Sequence, residues 1–180
     1  MSISFGEILD LQKKRSNELL SFLYGGLIVR LYKDLKDPEE INKKTEEIGF
    51  NIGQRLIDDI LVNLGKLPEK PKSFFVDKIL NQIFTNFLGI SDHKLNKKTE
   101  NEFEITFKNN SLNTYVELPD SLKSLWYSNI ICGIIRGAFL IVNVDVQCQF
   151  VKDILKGDDI NCISFVVKQY IEEKFADDDD

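Results

Sequence analysis

Little in this sequence invites chemistry. One histidine, one tryptophan, one methionine and three cysteines are scattered through 180 residues. Cys132, Cys148 and Cys162 are odd in number, widely spaced and without a C-x-x-C pair, and with His93 alone they argue against a structural zinc site. Free thiols of this kind suit a reducing, cytosol-facing compartment. Positive charge is also short: 23 Lys and Arg face 29 Asp and Glu, a net charge of −6. The basic residues are interleaved with acids and form no stripe, which argues against a nucleic-acid partner. Long apolar runs are missing. The most apolar window, "IICGIIRGAFLIV" at 130–142, has 13 residues and contains Arg136, short of the roughly 18 needed to cross a bilayer. The opening "MSISFGEILD" carries no basic region and no apolar run, so no signal peptide is expected.

What is present describes a globule. Hydrophobic residues make up 43% and include thirteen phenylalanines, enough for a bulky interior or interface. The length suits a single domain over 1–180, and ends at 1–4 and 176–180 are expected to be disordered. Ser4 and Glu7 form a possible capping box before a first helix running to about Lys36. Leu19, Leu20, Leu23, Leu27 and Leu31 give it a helical stripe, and Gly25 and Gly26 within it imply a close neighbour. Asp37-Pro38-Glu39-Glu40 opens a second helix. Residues 66–72 read as a loop, and 73–88 as a third helix stopped by Gly89.

The period then changes. Phe103, Ile105 and Phe107 alternate with polar residues, and 113–118 is expected to be the hairpin partner. Pro119-Asp120-Ser121 caps a long helix through Leu125, Trp126, Ile130, Ile134 and Val142. Alternation returns at Val144, Val146, Cys148 and Phe150, and again at Ile163, Phe165 and Val167. The order is three helices, two strands, a long helix, two strands. This predicts an α+β fold, a four-stranded antiparallel sheet with one face covered by helices.

Individual motifs favour packing over catalysis. "GFNIG" at 49–53 lacks both the dinucleotide fingerprint and the Gly-Lys-Ser/Thr ending of a phosphate loop, and what precedes it reads as helix. Gly49 and Gly53, and likewise Gly133 and Gly137, are spaced by four, which suits two close-packing faces. Asp58 and Asp59 are adjacent on a helix and do not converge. His93 sits in "SDHKLNKK", read as an exposed polar loop. Arg136, inside the apolar run, requires a partner or the surface. Phe22, Leu27, Leu31, Ile52, Leu56 and Ile60 exceed what one sheet face can cover, so a dimer interface is expected on the early helices. No catalytic, metal or cofactor site emerges.

"LLSFLYGGLIVRL" (19–31), "GFNIGQRLIDDIL" (49–61) and "VELPDSLKSLWYSNIICGIIRGAFLIVNVDVQCQFVKDILKGD" (116–158) resemble the small subunits of the TRAPP vesicle-tethering complex. The third segment is the most specific, with Leu-Trp-Tyr-Ser-Asn-Ile, Cys132-Gly133, Arg136-Gly137-Ala138 and Leu155-Lys156-Gly157-Asp158 in register. The likeness runs over about 16–158 and is closest to the Bet-type core subunit present twice per complex. It implies a homodimer in isolation and heterodimers with related small subunits. It also implies a place in an assembly that exchanges guanine nucleotide on a Rab-type GTPase in endoplasmic-reticulum-to-Golgi transport. Such a subunit is no enzyme by itself. It is cytoplasmic and lies peripherally at Golgi and endoplasmic-reticulum membranes, held there indirectly.

Departures at the acylation site with its tunnel, and in the tail, accompany the resemblance. The family's acylated cysteine after the second helix is matched here by Glu69, whose carboxylate cannot form a thioester. The small residue lining the acyl tunnel is matched by Ile83, expected to narrow it. The C-terminal arm that the family uses toward the GTPase is here the acidic "EEKFADDDD". The alternative reading is a small cytosolic carrier holding an acyl chain or another apolar ligand in a core cavity.

Overall fold

The computed structural model describes residues 5–64 and 73–171, with side chains described for 16–64 and 76–171. Glu69, Ser4, the loop at 66–72 and both expected disordered ends lie outside these residues. Four helices and four strands form the frame: α1 (Phe5–Leu35), α2 (Pro38–Leu64), α3 (Ser73–Gln82), β1 (Lys94–Lys97), β2 (Glu102–Phe107), α4 (Ile130–Ile141), β3 (Val144–Lys152) and β4 (Asn161–Tyr170). The strands are antiparallel throughout, in the order β1-β2-β4-β3. This is an α+β fold whose sheet carries helices on one face.

Alternation in the strands explains the two faces. Phe103, Ile105 and Phe107 of β2, Val146 and Phe150 of β3, and Ile163, Phe165 and Val167 of β4 are buried. Phe103 pairs with Phe165 and Ile105 with Ile163. The ring of Phe139 on α4 lies 5.2 Å from Phe165, and Phe84 beyond α3 lies 5.4 Å from Phe107. The other face is polar, with Lys98 and Glu104 paired at 2.5 Å.

α4 is twelve residues long and nearly all buried because it lies between the sheet and α2. Its contact with α2 is backbone to backbone. A β-carbon at Gly133 would lie 2.8 Å from the Phe50 amide nitrogen, and one at Gly137 the same distance from the Phe50 carbonyl carbon. From the other side, β-carbons at Gly49 and Gly53 would overlap the Ile130 and Ile134 carbonyls. Gly49 meets Ile130 and Gly53 meets Ile134 and Ala138, so the two helices run in the same direction.

Several expectations are corrected. The hairpin partner of β2 is β1, with Leu95 opposite Ile105, and not 113–118. Asn110 folds that stretch into turns: its side-chain oxygen accepts from the Leu112 amide at 3.1 Å, and its carbonyl accepts from Asn113 and from the Thr114 hydroxyl. β1 escaped notice because "KLNK" shows a single inward apolar residue. The long helix does not begin near Ser121. A 3-10 turn at Asp120–Leu122 and further turns precede α4, because the backbone there bonds to α2. Asn42 accepts from the Trp126 amide at 2.8 Å and donates to the Ser124 carbonyl at 3.2 Å.

The third helix ends at Gln82 and widens into a π-turn, Ile83–Phe87, before Gly89 at φ +66°. His93 is half-buried instead of exposed. Its Nδ1 is 3.0 Å from the Ile90 carbonyl and its ring 5.1 Å from Phe84. On α1, Gly26 has nothing near it, and Gly25 leaves space for the Tyr127 hydroxyl. The buried line of α1 is Ser21, Tyr24 and Ile28, while Leu19, Leu20 and Leu23 face outward.

Gly137→Leu is expected to lower stability by about 1–3 kcal/mol or more, because the added side chain meets backbone that cannot rotate away. Gly26→Ala, with open space around it, is expected to raise stability by about 0.5–1 kcal/mol through helix propensity. Denaturant midpoints measure both. A Gly137→Leu midpoint equal to the parent's would mean that the α2–α4 contact is loose.

Candidate functional site

Among the described residues, many of the exposed large apolar side chains lie on α1 and α2. Phe22, Leu23 and Leu19 are 68%, 64% and 60% exposed, and Leu20, Val29, Tyr32, Ile52 and Val62 are also open. Large apolar side chains grouped this way mark an interaction surface more than a free one. Of the six residues expected at an interface, Phe22 and Ile52 are exposed and Leu27, Leu31 and Leu56 are half-buried. Ile60 is fully buried. Its inclusion is corrected: it sits on the inward side of α2 with Ile57 and belongs to the core. Leu19, Leu20 and Leu23 were legible as apolar but were assigned to the inner stripe. α1 is apolar on both sides, so periodicity alone does not say which side faces in.

A polar clamp holds α1 down behind this face. The Tyr24 hydroxyl donates to the Tyr127 carbonyl at 2.5 Å, and their rings meet edge to face at 5.2 Å. Burial, followed by the nearness of Tyr127, drives the Tyr24 hydroxyl far above its ordinary range. Burial pushes Tyr127 up to about 12. Both phenols therefore stay protonated and act as structural groups. Phe22 is steadied from outside by stacking on Tyr115, with centroids 5.9 Å apart.

At the far side of the α2–α4 contact, Arg136 pairs with Glu46 and lies 6.0 Å from the Phe50 ring centre. This gives the one cation in the apolar run a partner at the surface. In the turn at Ile154–Lys156, Lys156 stands 3.3 Å over the Trp126 ring, which stacks on Phe150. Burial lowers the Lys156 pKa, while Asp153 and Asp158 oppose that shift.

Chemistry has little to work with. All three cysteines are free and buried. Burial, then a hydrogen bond with Cys148, raises the Cys132 thiol, and burial raises Cys162, so neither favours the nucleophilic thiolate. Ile83 is fully buried at the start of the π-turn, beside Ile79, Leu80 and Phe84 in the same core. Among the described residues no group of three or more His, Cys, Asp or Glu could hold a metal ion, and no helix is long and apolar enough to cross a membrane.

Comparison with known proteins agrees with this frame. The family described as transport protein particle (TRAPP) component matches residues 20–166. Trafficking protein particle complex subunit 3 of Dictyostelium discoideum is 36% identical over 174 residues, covering 93% of this chain and 91% of that one. Transport protein particle subunit bet3 of Schizosaccharomyces pombe is 35% identical over 172 residues, covering 93% and 92%. Among solved structures, a trafficking protein particle complex subunit 3 from Naegleria fowleri, covalently bound to palmitic acid, superposes with a TM-score of 0.78. It is 37% identical and covers 89% of this chain and 99% of that one. The phenol-responsive sensory domain of PoxR shares the fold alone, at a TM-score of 0.54 and 12% identity. The extent of the family match, and relatives spanned almost end to end at over a third identity, establish that the chain belongs to the TRAPP component family.

Proposed function

We propose that this protein is a non-catalytic core subunit of a TRAPP-type vesicle-tethering complex. In that assembly it helps to build a guanine-nucleotide exchange factor for a Rab-type GTPase in endoplasmic-reticulum-to-Golgi transport. The observation that carries the reading is the exposed apolar face of α1 and α2, which is a surface for another protein, in a chain with no catalytic constellation among its described residues. The isolated chain covers this face with a second copy, and in the complex related small subunits take that place. It works on the cytoplasmic side of Golgi and endoplasmic-reticulum membranes, held there through partner subunits, since a net charge of −6 disfavours an anionic lipid surface. Affinity purification from its own cells tests the reading. TRAPP-like small subunits in fixed proportion support it, and the chain alone sinks it.

The Naegleria relative is covalently bound to palmitic acid, and this chain's residues do not fit such a group. A thioester needs an accessible thiolate, and the only thiols here are three buried ones. Position 69, which lies outside the described residues, is a glutamate. Ile83 is fully buried where a small residue would leave room for the chain, and well-packed interiors leave few voids. The protein therefore carries no thioester-linked acyl chain. Intact-mass measurement on protein from its own cells is expected to return the unmodified chain. Added mass equal to a palmitoyl group, mapped to any cysteine, overturns this.

Self-association is the second expectation. Sedimentation at micromolar concentration should give twice the 20.8 kDa of one chain. Leu19→Asp with Leu23→Asp, both at exposed positions, should give a folded monomer whose melting temperature is lower than the parent's and no longer depends on protein concentration, because the stabilisation by association is lost. A parent that sediments only as a monomer refutes the apolar two-fold interface.

A further inference from the structure

A cleft of about 340 Å³ opens between the solvent side of α3 and the edge strand β1. Leu80, Phe103 and Ile105 form its floor and are buried. Asp77 and Asn81 stand on the same side of α3 as Leu80, because residues three and four apart share a helix face, and both are exposed. β1 supplies the opposite wall. Leu95 and Lys97 alternate to one side of the strand, and His93 stands just ahead of it. Leu95 lies opposite Ile105 yet is only half-buried, so the helices leave an inward apolar residue partly uncovered.

Two opposite charges stand in this cleft and stay apart. Asp77 and Lys97 are the only Asp, Glu, Lys or Arg among the described residues that line it. Lys97 leans over the ring of its cross-strand neighbour Phe103, with its Nζ 5.8 Å from the ring centre. Partial burial raises the Asp77 carboxyl above its ordinary value, and Lys97 opposes that shift. The two nonetheless form no ion pair with each other or with any other described residue. The cleft therefore carries separated charges of both signs and no net charge. His93 adds an uncharged group: its Nδ1 lies 3.0 Å from the Ile90 carbonyl, which in the neutral ring makes Nε2 the acceptor.

We infer that this cleft binds a small zwitterion with an apolar body, the chemistry of a free α-amino acid of the size of phenylalanine. The ammonium goes to Asp77, the carboxylate to Lys97, and the apolar side chain covers Leu95, Phe103 and Ile105. A lone anion would satisfy Lys97 and meet Asp77, and a lone cation would do the reverse, so only a ligand carrying both charges suits both walls. The volume lies at the lower end of the range of small-ligand sites, roughly 300–1,000 Å³, and is too small for a helix of a partner. Ile79 and Ile83 are buried and do not line the cleft, so it is separate from the position that would hold an acyl chain.

The site belongs to the isolated chain and does not depend on its place in a complex. Titration of the purified protein, followed by backbone-amide NMR, tests it. Phenylalanine is compared with hydrocinnamate, which lacks the ammonium, and with phenethylamine, which lacks the carboxylate. Phenylalanine is expected to shift the amides of 93–97 and 103–105 and to bind about tenfold or more tighter than either half-ligand, the factor that one charge-assisted hydrogen bond supplies. Asp77→Asn should cancel the advantage over hydrocinnamate, and Lys97→Gln the advantage over phenethylamine, both substitutions being at exposed positions. Two selectivities lost one at a time are not what a damaged fold produces. Equal affinity for the three compounds, shifts centred elsewhere on the protein, or no saturable binding of phenylalanine overturns the inference. So does a variant that keeps the selectivity it should lose.

Discussion

The backbone contact between α2 and α4 is the constraint from which the rest of the arrangement follows. Four glycines let the helices approach until a β-carbon on either would strike the other's backbone. Helices this close exclude water along their shared length, so α4 can be apolar on nearly every side and still be covered. The same closeness sets the height of α2 above the sheet. It also brings Glu46 within reach of Arg136, and Asn42 within reach of the segment ahead of α4. A wider spacing would leave each of these polar groups without its partner, at the cost of desolvating it for nothing.

Polar groups then locate what apolar burial leaves loose. Hydrophobic burial is non-directional, and α1, apolar on both sides, could lie on the core by either face. Tyr24 favours one face by donating from its buried hydroxyl to the Tyr127 carbonyl. Ser21 supports it with a weaker contact to the Leu112 carbonyl at 3.4 Å. Turning α1 so that Tyr24 faces inward necessarily presents Leu19 and Leu23 outward. The exposed apolar face is thus a consequence of how the monomer is fastened.

How much of this was legible in the string depends on the signal each element carries. β2, β3 and β4 alternate cleanly and could be placed from their phenylalanines, valines and isoleucines. β1 could not, since an edge strand of four residues with one inward leucine has no period to detect. The segment before α4 misleads for a different reason. Leu125, Trp126 and Ile130 have helical spacing, yet the backbone bonds to Asn42, more than eighty positions away, and no local window contains that partner. In the candidate surface, Phe22 and Ile52 could be singled out as surplus apolar residues, whereas Ile60 looks the same in sequence and proves internal. The inward side of a doubly apolar helix is favoured by one hydroxyl, and composition does not record it.

The three thiols occupy two places in the molecule: Cys132 of α4 and Cys148 of β3 meet where the helix lies on the sheet, and Cys162 stands at the start of β4. Since each is hidden in the closed state, none can react with an alkylating reagent until its own surroundings part. The chain therefore carries two native stopwatches, one at the α4–β3 contact and one in β4. The sequence in which they are labelled would reveal which layer breathes first, without a single engineered probe.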